Sequence, residues 1–216
     1  MATKEKAPLS FLLVSAFLIL TLLVAKQVMR PLDLVVTQAV QHFGFKVLDY
    51  VMYFFTLFGS VEFTSFALLV VSWHFYNKYQ WPGVFLYLFF FMALSGVEFI
   101  WKYVVASTIP NPEFDRNPFN WNIIPIQVPY SFPSGHTFRG IFLLGIWWQR
   151  LNQKYVPAAG NIPIQKTIIL ALVFGIGISR IYLGDHWLSD VAGGALLAMI
   201  GLQLTSQSLH HELRPA

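Results

Sequence analysis

Apolar residues in this chain arrive in six runs, and that spacing constrains the fold more than any other feature. The runs cover Pro8–Ala25, Val61–Tyr76, Trp81–Ala106, Thr137–Leu151, Ile164–Ile181 and Trp187–Gln207. A helix needs roughly 20 predominantly apolar residues to cross a hydrocarbon core, and backbone surrounded by lipid must bond to itself. The sequence therefore predicts an all-α, integral membrane bundle of six transmembrane helices. Composition agrees: of 216 residues, 56% are hydrophobic and 11% charged, with a mean hydropathy of +0.58. An ordinary soluble domain is about 25% charged.

The length suits one domain, residues 1–216, with no internal repeat. The first run follows Lys4 and Lys6 and ends at Lys26-Gln27 without a small-x-small cleavage site, so it reads as a retained span. Between the first two spans, Asp33–Gly59 mixes polar and apolar residues. Leu34, Val35, Ala39, Val40 and Phe43 suggest one face of a short interfacial helix there. Asn111–Pro133 is rich in proline and polar residues, as expected of a loop that rims a site. Cysteine is absent, which excludes disulfides and thiolate chemistry. With a net charge of +4, the basic residues of so apolar a chain fit span ends and anionic lipid headgroups rather than nucleic acid.

Polar residues concentrate at three span ends. Ser179, Arg180, His186 and Asp190 lie where the fifth span gives way to the sixth; Pro133-Ser134-Gly135-His136 opens the fourth; Lys102 and Pro110 close the third. Six spans put all three clusters on one membrane face, opposite both termini. With the N-terminus inside, Lys4, Lys6, Lys78, Arg150, Lys154, Lys166 and Arg214 are cytoplasmic, and Lys26, Arg30, Lys46, Lys102, Arg116, Arg139 and Arg180 are outside. Setting Lys102, Arg116, Arg139 and Arg180 aside as site residues leaves seven against three, which favours an extracytoplasmic site in the plasma (inner) membrane.

Charges and imidazoles are costly near a bilayer unless they act. His186 and Asp190 are four apart at the start of a helix and share a face, so the carboxylate can fix one imidazole tautomer. The other nitrogen is then free as a nucleophile or base, and attack on phosphorus would give a phosphohistidine. His136 supplies the partner acid. The backbone N–H groups of Ser134 and Gly135 open a helix, where a phosphate meets unpaired donors. Arg180 offers a planar fork for phosphate oxygens and Lys102 a point charge.

These motifs resemble those of the type 2 phosphatidic acid phosphatase superfamily. Its third motif, Ser-Arg, five residues, His, three residues, Asp, matches Ser179, Arg180, His186 and Asp190 without a gap, and its second is Pro133–His136. The resemblance implies His186 as nucleophile, His136 as general acid, Asp190 orienting His186, no metal or other cofactor, and lipid phosphates or diphosphates as substrates. Lys102, Ser134, Gly135, Ser179 and Arg180 are then the phosphate ligands. The first motif departs from the pattern: the family expects Lys, six residues, Arg-Pro, and here Ile109 stands in the arginine position between Lys102 and Pro110. Arg139, one turn after His136, or Arg116 in the neighbouring loop could replace it.

Some of these residues have structural readings as well. Glu98 precedes Lys102 by four residues, the order that favours a helical ion pair. Asp185 suits a helix cap before Trp187, Tyr182 and Trp187 an interfacial belt, and Gly193, Gly194 and Gly201 close helix packing. The functional expectation is a membrane lipid phosphatase. A phosphotransferase using the same intermediate and a non-catalytic lipid-phosphate binder or transporter are the alternatives.

Overall fold

The structure, a computed structural model, describes residues 9–119, 128–152 and 161–212. Lys4, Lys6, Lys154, Arg214 and residues 120–127 of the proline-rich loop lie outside them. The helices are α1 (Leu9–Ala25), α2 (Arg30–Gln41), α3 (Lys46–Leu57), α4 (Val61–Val105), α5 (Gly135–Leu151), α6 (Ile162–Tyr182) and α7 (Leu188–Glu212), with a 3-10 turn at Pro112–Phe114. Among the described residues no strand forms; Thr108 and Tyr130 make an isolated antiparallel bridge.

Local chemistry sets the helix ends. Ser60 caps α4 by accepting from Phe63 N at 3.2 Å, Ser134 caps α5 from Thr137 N at 3.4 Å, and Asn161 caps α6 from Ile164 N at 3.3 Å. Within α4, Gln80 adopts φ 57° just before Pro82, so the helix is two arms, Val61–Asn77 and Gln80–Val105. This break is the expected turn between the second and third spans. Its far end closes at Ala106, also left-handed at φ 51°.

Helix α5 is the hub, packed against α4, α6 and α7, while α1 lies on α7 and α3 on α6. Aromatic rings fill the centre: Phe91, Phe138 and Phe142 meet at centroid distances of 5.5 to 6.0 Å, and Tyr87 joins Phe142 at 6.0 Å. Helix backbones approach closely at Gly194, where a Cβ would stand 2.4 Å from Ser134 O, so α7 can touch the first turn of α5 only through glycine.

Three helices are long and apolar enough to cross a membrane alone: Gln80–Val105, Ile162–Tyr182 and Leu188–Leu209. Two bent pairs qualify when taken together, α1 with α2 at 92° and α3 with the first α4 arm at 41°. Phe66, Leu69, Trp73, Phe85, Phe89 and Met92 project outward from α4, as a lipid-facing surface requires. The protein is an integral membrane helical bundle.

The connector after α1 differs from expectation. It holds two helices, and α2 turns a polar face inward: Asp33 and Thr37 are buried, while Gln41 donates to Phe114 O at 2.7 Å and Tyr182 O at 2.8 Å. Val35 and Phe43 face outward. Tyr182 and Trp187, expected in an interfacial belt, are each 1% exposed. Tyr182 donates to Asp49 at 2.7 Å, and Trp187 donates to Thr108 O at 2.9 Å beneath the Arg30 guanidinium. Their polar tips find protein partners rather than headgroups.

The α6–α7 turn depends on Gly184, at φ 77°, where a Cβ would lie 2.1 Å from Phe114 O. Gly184→Ala should lower the thermal midpoint of the detergent-solubilised protein, because αL strain alone costs about 1–2 kcal/mol before the collision is relieved. An unchanged midpoint would refute this account of the turn.

Candidate active site

The third-motif histidine sits in the tight turn that joins α6 to α7. Both Asp185 N and His186 N donate to Arg180 O at 3.1 Å, which folds the turn back on the end of α6. His186 Nδ1 lies 3.3 Å from Asp190 Oδ2, leaving Nε2 directed away from the carboxylate. Burial first, then the nearby Lys102 and Arg180 charges, holds the His186 imidazole well below its usual pKa. It is therefore neutral at neutral pH.

Asp190 is fully buried and used on every side. Its Oδ2 accepts from Trp187 N at 2.8 Å and its Oδ1 lies 3.3 Å from Ser131 Oγ. Its backbone carbonyl accepts from Ser134 N at 2.9 Å. One residue thus caps α7, orients His186 and fastens the second motif to the third. The notion that Ser134 offers its N–H to a phosphate is corrected here: that proton goes to Asp190 O, and the Ser134 hydroxyl oxygen accepts from Thr137. Gly135 and His136, the first two helical residues of α5, are the ones whose N–H groups have no intrahelical acceptor.

Lys102 reaches this second-motif loop from α4. Its ammonium lies 2.7 Å from Pro133 O, 3.0 Å from Ser131 O and 3.3 Å from Glu98 Oε1. Those contacts match its three donors. Lys102 is at once the counter-charge of Glu98 and a strut beneath the loop. Arg139 takes the position beside it: Nε donates to Gly59 O at 3.3 Å, and a Cβ on Gly135 would lie 2.8 Å from both Arg139 Nη1 and Glu98 Oε1. Glycine at 135 leaves room for both charges. The electrostatic neighbours of His136 are Arg180, Arg139, His186 and Lys102. One imidazole is thus surrounded by a second imidazole and three cations.

Arg180 is buried, its Nη1 donating to Thr56 Oγ1 and pairing with Asp185 Oδ2 at 3.0 Å. Asp185 therefore serves Arg180; the helix cap expected of it comes from Asp190. Ser179 turns its hydroxyl back to Ile176 O at 2.8 Å and directs no proton toward the cluster. Arg116 lies elsewhere, bound to Asp49 at 2.9 and 3.0 Å and stacked over Tyr182, where it ties the 3-10 segment to α3 and α6. It is not a neighbour of His136. Ile109 is 52% exposed and extends from the chain after α4.

Sequence reasoning missed Thr56, Gly59, Ser131 and Asp33. Thr56 and Gly59 form the α3–α4 elbow above Arg180 and Arg139, and a Cβ at Gly59 would stand 2.6 Å from His136 O. Asp33 accepts from Ser189 N at 2.9 Å and Ser189 Oγ at 2.8 Å, fixing the start of α7. Thr56 acts through one hydroxyl, Gly59 through one carbonyl, Asp33 through its carboxylate and Ser131 through its hydroxyl and carbonyl, all in segments that carry no motif.

Fold and site together define an integral membrane bundle with two histidines, three cations and a buried carboxylate gathered where α4, α5, α6 and α7 meet. Residues 83–214 match the model of the PAP2 superfamily, and the chain belongs to that superfamily. It is 26% identical over 187 residues to phosphatidylglycerophosphatase B of Bacillus subtilis (strain 168), covering 85% of this chain and 86% of the relative. Over 101 residues, 43% of each chain, it is 33% identical to the putative undecaprenyl-diphosphatase YbjG of Escherichia coli (strain K12). The fold is similar to that of the transmembrane PAP2-type phosphatidylglycerolphosphate phosphatase from Bacillus subtilis, with a TM-score of 0.77, 20% identity and coverage of 96% of this chain and 98% of that one. It is also similar to Aquifex aeolicus LpxE, with a TM-score of 0.55, 21% identity and coverage of 83% and 96%.

If Lys102 is a strut, removing it leaves Glu98 and two carbonyls buried without a partner. Lys102→Met should then destabilise the fold by about 3–5 kcal/mol in addition to impairing activity, read from denaturation in detergent. Retained stability with lost activity would instead assign Lys102 to the ligand alone.

Proposed function

We propose that the protein is a metal-independent lipid phosphatase that removes phosphate from lipid monophosphates or diphosphates through a phosphohistidine intermediate. The observation that carries this reading is His186, neutral and held through Nδ1 by Asp190, beside His136 and the Arg180 guanidinium. Nε2 of His186 attacks phosphorus, the bond from phosphorus to the leaving oxygen breaks, and His136 gives that oxygen a proton; burial and the surrounding cations lower the His136 pKa in the free protein, and the negative charge of the bound phosphate offsets those cations so that the imidazolium forms in the complex. His136, now neutral, takes a proton from water as the water attacks phosphorus. The P–N bond breaks and inorganic phosphate leaves.

The anion's charge is met by Arg180, by the Gly135 and His136 N–H groups and by Arg139, with Lys102 contributing its field from behind the loop. In this reading Arg139 takes over for the arginine that the first motif lacks at Ile109. Losing one preorganised donor costs about 10²–10³ in rate, against accelerations of up to ~10²¹ for phosphate monoester hydrolysis, so even an unfilled place would leave an active enzyme. The relatives' names, phosphatidylglycerophosphatase and putative undecaprenyl-diphosphatase, support phosphatidylglycerol phosphate and polyprenyl diphosphates, and the proposed substrate class adds phosphatidic acid as a lipid monophosphate of the same chemistry. The whole chain, 1–216, serves as one domain crossing the plasma (inner) membrane six times. Both termini share a side, and the site faces outward; the basic residues flanking the spans support this orientation.

The test is inorganic phosphate release by purified protein from a panel of these lipids, without added metal. His186→Ala and His136→Ala should abolish release, and Arg180→Lys should lower it by on the order of 10², since an ammonium cannot make a bidentate contact. Release that survives His186→Ala overturns the mechanism. Transfer of the phosphoryl group to a lipid or sugar hydroxyl in place of water would identify a phosphotransferase.

The pH dependence follows from His186. Its folded pKa is lowered, so the nucleophile stays neutral as pH falls through the ordinary histidine value near 6.5. The acid limb of kcat/KM should accordingly lie below pH 6.5, measured across a pH series. The same sign applies to stability: the unfolded state takes up the proton first, so stability contributed above about pH 6.5 is lost as pH falls.

A further inference from the structure

The Arg180 side chain is fastened by one of its nitrogens. Nη1 donates to Thr56 Oγ1, the hydrogen-bond acceptor that the structure gives this guanidinium, and pairs with Asp185 Oδ2 at 3.0 Å. Nε is buried and has no partner among the described residues. In a planar guanidinium, Nε–H and one Nη2–H point the same way, opposite Nη1. That edge is the fork that meets two oxygens of a tetrahedral anion. Thr56 belongs to the last turn of α3, is 5% exposed and lies outside every polar cluster of the sequence.

We propose that Thr56 is a positioning residue for substrate binding: its hydroxyl oxygen fixes the Arg180 guanidinium plane so that the Nε–Nη2 edge faces the lipid phosphate. This rests on the reading of Arg180 as a phosphate ligand. The physical reason is preorganisation. An arginine carries four rotatable side-chain bonds, and an ion pair with Asp185 restrains its charge without setting its plane. A hydrogen bond to Nη1 is directional and sets both.

The clamp is tested with Thr56→Val, which keeps the shape and removes the acceptor, and Thr56→Ser, which keeps the acceptor. Two quantities are measured: kcat/KM for didecanoyl phosphatidic acid in detergent micelles, and the Kd of orthovanadate from the fluorescence of Trp187 and the other tryptophans. Thr56→Val should weaken both about tenfold, the order of one hydrogen bond to a charged group, while Thr56→Ser stays within about twofold of wild type. In an Arg180→Lys background the Thr56→Val loss should vanish, because lysine has no plane to hold.

Wild-type values in Thr56→Val overturn the proposal. So do equal losses in the serine and valine variants, and losses that multiply with Arg180→Lys; these assign Thr56 a packing role. A wild-type protein that releases no phosphate from any lipid, yet binds orthovanadate with the predicted Thr56 dependence, overturns the phosphatase reading and supports the clamp.

Discussion

Asp190 is the constraint on which the rest depends. A carboxylate with no exposure must be bonded on all sides or protonated, and here the partners come from separate parts of the chain: Trp187 and His186 in the α6–α7 turn, Ser131 in the loop before α5. Its own carbonyl then holds Ser134, which starts α5. Satisfying one buried charge therefore brings the two histidine-bearing segments into register. Gly194, one turn further along α7, permits the approach because any side chain there would strike the backbone of Ser134.

The cations are arranged by the same logic. Lys102 has Glu98 and two loop carbonyls, Arg180 has Asp185 and Thr56, and Arg139 has Gly59 O with Glu98 close by. Each is anchored at one end, which under the proposed function limits the reorganisation needed when a phosphate binds. Lys102 goes furthest, with all its donors engaged, so in the proposed function it contributes a field to the anion rather than a contact. The two arginines retain donors beyond their anchors.

Much of this was legible in the sequence. Five of the apolar runs became helices with ends displaced by a few residues, and the first did so over its described part, because hydropathy and caps such as Ser60, Ser134 and Asn161 act locally. The spacing of His186 and Asp190 predicted their contact. What the sequence left hidden depends on which way a residue faces. Tyr182 and Trp187 sit at helix ends, where an aromatic reads alike whether it meets headgroups or protein. Asp185 reads locally as a cap for Trp187 and Ser134 as a donor to phosphate, and tertiary contacts give them Arg180 and Asp190 O instead. Thr56 and Gly59 carry so little chemistry that only their position above the arginines reveals them. The α2–α3 connector read as a single helix because its inner face is polar and its outer face apolar, the reverse of a helix packed on a soluble core.

The stitch between Asp190 and Ser134 also bears on the order of assembly. Lys102 and the second-motif loop are made before α7, yet the carboxylate that completes their network lies in α7. Until α7 inserts, Ser131 and Ser134 lack their Asp190 acceptors, His186 has no carboxylate, and the first turn of α5 has no backbone against it. The site is thus a property of the finished bundle and not of any hairpin within it. A nascent or truncated chain would hold its charged residues in the membrane without the geometry that makes them useful.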